Sequence, residues 1–418
     1  MTFLAIEPYP FGKRFAVTFT DDTDRATLAE VEPVYACLAA YGIRSTKTVW
    51  PLPASAVSGH DSRMATAGDT LENNAYRAWC QRLQAQGFEI ALHTASGGNS
   101  LREETVLAYQ RFEEIFGHPP HTNIMHARNR ENIYWGKDWT PNHPLLSKVI
   151  AFVEPGDFLG HQVDSPYYWG DICREKTKYV RHFETLQVNT LAFDPATPYH
   201  DPAKPDVKWW FSSSYGSGVR LFTLLVRENL EKLAAQRGAS IIHCYLRHYA
   251  LPQGNGRFTV HPRFESLVET LAHFSDGWYV PAVELLDRLR AIRQLRVALD
   301  GNRVTIYNDS DVDVVNLGAR ASETLTPLWR DECRLEQNAF GQINLGTVRA
   351  GQATTFICEG TVMKVEAPAA KQPRYPRLFA GYCRRVLWQI SRGRRGRTSE
   401  VNDPPWVRAL WEPSTPFS

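Results

Sequence analysis

The sequence predicts an α/β fold of parallel strand–helix repeats, an open sheet or a (β/α) barrel, followed by a small all-β domain and a basic tail. Three observations carry this reading. Over the first 126 residues, short apolar or β-branched runs alternate with stretches of helical periodicity, and polar residues stand at several of the strand ends. Residues 296–366 change to short strand-like runs between Gly, Asn and Asp turns. Between Arg374 and Arg397 there are eight arginines and no acidic residue. A chain of 418 residues is longer than one core usually holds. The expected division is therefore 1–294, 295–366 and 367–418.

The first strand is expected at Phe15–Phe19, because five apolar or β-branched residues in a row suit a strand buried on both faces. Leu28, Val31, Val34 and Leu38 then recur at helical spacing up to Gly42. A second strand follows near Thr46–Trp50. Tyr76, Trp79, Cys80 and Leu83 make the next apolar stripe, ended by Gly87. The third strand, Glu89–Leu92, delivers His93. Ser100 with Glu103 has the spacing of a capping box that opens a helix, stopped by Gly117 and Pro119. The fourth strand, near Thr122–Met125, delivers His126. From 130 to 220 the pattern blurs into aromatic-rich loops. Helices are expected again over about 221–236, 263–274 and 282–293, with a strand at Ser240–Tyr245.

The first strand runs straight into Asp21, Asp22 and Asp24. Three carboxylates at the mouth of a buried strand repel one another and lose hydration, so a cation or a proton-transfer role is the expected compensation. Capping of the following helix would need only one of them. A metal-dependent hydrolase needs imidazole or carboxylate ligands, an open position and a base. Asp22 and His93 suit the ligand role at the ends of strands one and three, and Asp21, one residue earlier and pointing elsewhere, suits the base. Asp24 reads as a cap or a supporting group.

Composition is that of an ordinary globular protein, 43% hydrophobic and 22% charged with net charge +2, a balance that argues neither for nor against a polyanionic partner over most of the length. No nucleic-acid partner is expected. Seven scattered cysteines without a Cys-x-x-Cys pair read as reduced thiols in a cytoplasmic chain. Neither a signal peptide nor an apolar run of spanning length is visible. Many of the 12 tryptophans fall in expected loops. Trp50, Trp135, Trp169, Trp209 and Trp210 are candidate platforms for sugar stacking.

Val17-Thr-Phe-Thr-Asp-Asp-Thr23, with a later strand ending in His93-Thr94, resembles the first two motifs of the polysaccharide deacetylases of the NodB-homology, chitin-deacetylase-like family. The Asp276-Gly-Trp-Tyr-Val-Pro-Ala282 segment also resembles that family's closing segment. The resemblance covers about residues 10–290 and implies a deformed (β/α) barrel. It implies Asp21 as catalytic base, Asp22 and His93 as metal ligands, a divalent metal such as zinc, and a carbohydrate substrate losing an N- or O-acetyl group. The departures are specific. Gly97 stands where the second motif has its second histidine. Met125-His126-Ala127-Arg128-Asn129 replaces an Arg-Pro-Tyr/Phe-Gly motif, so His126 is expected to supply the missing ligand, with Arg128 toward substrate. Ile241-Ile242-His243 replaces the late Leu-x-His motif, with His243 as the acid.

A catalytically silent glycan-binding protein on the same fold is the alternative, fed by Gly97 and opposed by the Asp21-Asp22 pair. A glycoside hydrolase using paired carboxylates would leave His93 and His126 without a role. In the tail, Phe379, Tyr382, Val386 and Ile390 at helical spacing among the arginines suggest a basic amphipathic helix. Its expected partner is the anionic inner face of a membrane, through Arg374–Arg397.

Overall fold

The structure, a computed structural model, describes residues 2–54, 67–140, 142–321, 328–330, 333–359 and 362–396. Its centre is a closed barrel of seven parallel strands. In barrel order these are Phe15–Asp21, Thr46–Val49, Glu89–Leu92, Thr122–Asn123, Tyr179–Thr185, Trp209–Tyr215 and Ala239–Cys244. The seventh strand closes on the first, from Ala16 opposite Ala239 to Asp21 opposite Cys244. Every residue of the first strand is buried, as a strand covered by helices on one side and by the barrel interior on the other requires. Helices Leu28–Ala40, Asn74–Ala85, Arg102–Phe116, Arg227–Gln236 and Pro262–His273 turn their apolar stripes (Val31, Val34 and Leu38; Tyr76 and Leu83; Phe112; Leu230; Leu271) into one continuous core. Parallel strands bring all their C-terminal ends to one mouth, so the acidic cluster, His93 and His126 converge there.

Strands five and six lie inside the stretch expected to be loop. Tyr179–Thr185 and Trp209–Tyr215 carry Arg181, His182 and Glu184, and Ser212, Ser213 and Ser214. These polar residues are buried, and they break the apolar run that marks a buried strand. The expected capping box at Ser100 is also replaced. The helix begins at Arg102, where the Leu101 N–H donates to Glu104 Oε2 at 2.8 Å. The Ser100 N–H is instead taken by Glu131 Oε2 at 3.1 Å, so the loop between strand and helix is drawn toward the mouth.

The all-β part is two sheets around one core. The first has the order Gln342–Val348, Val314–Ala321, Thr2–Pro10, Val362–Glu366. The second has the order Leu295–Asp300, Arg303–Asn308, Ala353–Cys358, Leu328–Arg330, Cys333–Leu335. Leu4, Ile6, Val304, Ile306, Leu317, Ile343 and Phe356 fill the space between them. The opening strand Thr2–Pro10 therefore belongs to this sandwich and not to the barrel, so the expected barrel unit 1–294 loses its first residues while its end, between the helix Ala282–Ile292 and the strand Leu295–Asp300, falls where it was expected. Arg288, on the barrel helix Ala282–Ile292, ties the two parts by donating to Val315 O at 2.6 Å and to Tyr9 O at 3.3 Å.

The tail forms the helix Tyr375–Gly396, and its apolar face is occupied. Tyr375, Leu378, Phe379 and Tyr382 are buried with Trp139, Phe183 and Phe193 of the barrel unit. Tyr375 Oη bonds Asp201 and Tyr382 Oη bonds Glu154. Phe379 and Tyr382 are therefore not available for the expected membrane contact, because burial against the barrel uses the same face. Leu387 and Ile390 are exposed. Arg397 and the side chains of residues 392–396 lie outside the described residues. No helix among the described residues is long and apolar enough to cross a membrane.

Ile6→Ala opens a cavity between the two sheets and should lower sandwich stability by about 2–5 kcal/mol. Urea unfolding checks this through an earlier transition for the sandwich, and an unchanged midpoint would show that the opening strand is dispensable.

Candidate active site

An extended chain sends successive side chains to opposite faces, and this separates the three aspartates. Asp21 faces out of the barrel toward the surrounding helices. Its Oδ2 accepts Tyr35 Oη at 3.0 Å and lies 3.0 Å from Lys47 Nζ, and its Oδ1 accepts the Leu246 N–H at 2.7 Å. Burial raises the pKa of this carboxyl against the opposing pull of Lys47. Asp21 is thus a buried structural ion pair turned away from the mouth. The expected role as base is corrected on that ground.

Asp22 faces inward. Arg181, from the fifth strand, donates to Asp22 Oδ1 at 2.8 Å and to Oδ2 at 2.6 Å. A two-bond fork of this kind fixes both the position and the plane of the carboxylate. His243 Nε2 lies 3.1 Å from Asp22 Oδ2, and His93 Nε2 lies 3.9 Å from it. Burial opposes ionisation of Asp22, but Arg181, His243 and His93 outweigh it and hold the carboxyl below the usual range.

Asp24, two residues on, faces the same way as Asp22. Its Oδ1 is 2.9 Å from His126 Nε2 and its Oδ2 is 3.5 Å from His93 Nε2. Asp24, His93 and His126 each offer one ligand atom, and these atoms lie within 4.8 Å of one another. Among the described residues the group that could hold a cation thus contains Asp24 and not the expected Asp22, which is forked to Arg181 and lies farther from His93. His126 joins the group from the end of the fourth strand.

The partners of the two histidines suit a cation. His93 Nδ1 is 2.7 Å from the carbonyl of Ile124, which fixes the proton on Nδ1. His93 Nε2 is buried and makes no hydrogen bond of good geometry among the described residues. His126 Nδ1 is 3.0 Å from Asn129 Oδ1. The Asn129 amide in turn donates to Gly98 O at 2.7 Å and to Glu131 Oε1 at 2.8 Å, so its oxygen must face the ring. Both imidazoles therefore turn Nε2 toward Asp24, the orientation that metal-binding histidines show. Burial favours the neutral His126 ring, but the Asp24 carboxylate outweighs it and raises the pKa to about 9, so in the absence of a cation that Nε2 carries a proton toward Asp24. Backbone strain accompanies them: Arg25, Thr94 and Arg128 all have positive φ, at 58°, 59° and 64°. For β-branched Thr94 this is a rare conformation.

His243 is held on its other side. Its Nδ1 is hydrogen-bonded to Glu184 Oε1. Burial and Arg181 favour the neutral ring, but Asp22 and Glu184 outweigh them and hold its pKa up at about 8. Burial would raise Glu184, yet His243 and Arg385 bring it down to about 2. Arg181 and Glu184 are three residues apart and would face opposite ways on a regular strand. A register shift between them lets both reach the mouth.

The tryptophans divide differently from expectation. Trp50, Trp169 and Trp210 are fully buried, with no face open for a sugar. Trp50 stacks on His93, with ring centroids 5.9 Å apart and planes 22° apart, so it supports a site residue. Trp169 Nε1 donates to Glu131 O at 2.6 Å, and Trp210 packs on His182. Trp135 is partly buried against Trp139 and Phe158. Arg128 is half-exposed, 3.7 Å from Glu154. Arg181, Glu184, Asn129 and Arg385 were not anticipated. The parity of Asp22 and Asp24 was the one legible signal.

Removing the Asp21 carboxylate leaves Lys47 buried without its counter-ion. Asp21→Ala should therefore lower stability by about 3–5 kcal/mol, read by chemical denaturation. A loss under about 1 kcal/mol, on the scale of exposed ion pairs, would contradict the structural role.

No family model matches the chain, and no curated protein matches its sequence. Among solved structures it is similar to the allantoinase Puue (12% identity, TM-score 0.39, covering 68% of this chain and 93% of that one). It is similar also to a family 4 acetyl xylan esterase from Clostridium thermocellum, solved in complex with a cobalt ion (12%, TM-score 0.31, 65% and 89%). A third is the polysaccharide deacetylase of Bacillus cereus (10%, TM-score 0.28, 64% and 91%). The closed barrel stands on its own strand pairing, and the solved structures to which the chain is similar include polysaccharide deacetylases, an acetyl xylan esterase and an allantoinase.

Proposed function

We propose that this chain is a metal-dependent hydrolase that removes an acetyl group from a carbohydrate. The observation that carries the reading is one pair of adjacent sets at the barrel mouth. Asp24, His93 and His126 gather three ligand atoms within 4.8 Å, and Asp22, fixed by Arg181, stands between them and His243. Two imidazoles and one carboxylate suit zinc, with a coordination position left open. A divalent cation held by Asp24, His93 and His126 would supply a Lewis acid that polarises the acetyl carbonyl and acidifies a water.

The chain's own residues supply the rest. Asp22 accepts the proton of the attacking water, and its forked bond to Arg181 keeps the carboxylate aimed. His243, placed between the carboxylates of Asp22 and Glu184, gives a proton to the leaving nitrogen or oxygen. Water and the acetylated sugar become acetate and a free amine or hydroxyl. The roles thus move along the chain from those the motif resemblance implies, with Asp22 as base and Asp24 as ligand. The carbohydrate assignment rests on the likeness of residues 17–23 and 93–94 to the deacetylase motifs.

Elemental analysis of the full-length protein should find about one divalent ion per chain. Acetate release from N-acetylated chitooligosaccharides or acetylated xylan should follow zinc loading and stop on chelation. Asp24→Ala should lose both metal and turnover. Asp22→Asn should keep the metal and slow turnover by about 10²–10⁴-fold. A protein with no metal and no acetate release would favour the silent glycan-binding reading.

A further inference from the structure

The geometry points to Arg385, on the C-terminal helix, as a positioning residue of the active site: it holds Glu184, and through Glu184 it sets the ring of His243. This rests on the role given to His243 above. Arg385 Nε is 3.1 Å from Glu184 Oε2, while the other oxygen, Oε1, is bonded to His243 Nδ1. His243 Nε2 then faces Asp22 at 3.1 Å. A line of alternating charge therefore runs from the tail helix to the proposed base: Arg385, Glu184, His243, Asp22, Arg181. Side-chain exposure along it is 13% for Arg385, 10% for Glu184 and 8% for His243. At that burial a carboxylate that lost one partner would turn toward the other or draw in water.

Arg385 is itself held. Its Nη1 donates to Gln389 Oε1 at 2.7 Å, one turn along the helix. Its guanidinium lies over the rings of Tyr382 and Tyr215, 4.8 Å and 5.8 Å from their centroids. Tyr215 in turn packs on the edge of His243, with ring centroids 5.6 Å apart. A planar cation suits this slot between two aromatic rings and a carboxylate better than a compact ammonium does.

The helix is docked closely enough to place Arg385. A Cβ on Gly381 would come within 2.3 Å of the Phe193 ring, so the helix axis approaches the barrel where only glycine fits. Tyr375 and Tyr382 fasten it to Asp201 and Glu154. The basic tail is thereby a wall of the catalytic mouth, and at least one of its arginines faces inward.

The test compares full-length wild type with Arg385→Gln and Arg385→Lys, each zinc-loaded. In histidine-labelled protein, the low-field imidazole proton shared by His243 and Glu184 is identified by its loss in His243→Gln. It should move or vanish in Arg385→Gln and persist in Arg385→Lys. With acetylated xylan as probe, kcat of Arg385→Gln should fall about 10–100-fold, as for other groups that orient a catalytic side chain, with KM and metal content unchanged. In a Glu184→Gln background, Arg385→Gln should have no further effect on kcat, because both act through one ring. If Arg385→Gln also lowers the melting temperature, the lysine variant decides, since it keeps the charge and the stem. A wild-type imidazole signal and wild-type kcat in Arg385→Gln, or additive losses in the double variant, would overturn the proposal. Absence of acetate release by the wild type would count against the function proposed above, while the imidazole signal would still report on Arg385.

Discussion

The mouth of the barrel depends on the buried fork between Arg181 and Asp22. A guanidinium from the fifth strand meets a carboxylate from the end of the first across the barrel interior, at 2.8 Å and 2.6 Å. Neither charge could be left there alone, since an uncompensated buried ion costs several kcal/mol. With Asp22 held at the fork, the carboxylate nearest the two histidines is Asp24, 3.5 Å from His93 Nε2 and 2.9 Å from His126 Nε2. His243 lies between Asp22 and Glu184, so in the proposed reading the fork stands between the ligand group and the proton-transfer group.

Part of this was legible from the chain. The strand–helix alternation over the first 126 residues, the acidic strand end and the positions of His93 and His126 all follow from periodicity and strand-end polarity. The partner that each aspartate meets was not legible. Asp21 reads as a base pointing elsewhere than its ligand neighbour, but elsewhere is the helix side of the barrel, where Lys47 pairs with it. Asp22 and Asp24 share a face, and Thr23 between them is the visible sign. Strands five and six were illegible for a different reason. Their interiors carry Arg181, Glu184 and a row of serines, so the residues that equip the site are those that erase the apolar pattern of a buried strand.

The ends of the chain were misplaced because sequence order does not report packing partners. Thr2–Pro10 completes a sheet made from residues more than three hundred positions later. The tail's amphipathic spacing was read correctly as a helix, but its apolar stripe found Trp139, Phe183 and Phe193 within the same molecule. An amphipathic face states that something covers it and leaves open what does. Here the cover also brings Arg385 to Glu184, which joins a compositional tail to the chemistry of the mouth.

The central claim is that Asp24, His93 and His126 form the cation site, with Asp22 beside it. Anomalous diffraction at the zinc edge, on crystals of zinc-loaded full-length protein, tests this most directly. The account predicts one strong peak about 2.0–2.2 Å from an Asp24 oxygen and from Nε2 of His93 and His126, with the Arg181 fork on Asp22 intact. A peak coordinated by Asp22 in place of Asp24, or no peak at the mouth, would contradict it.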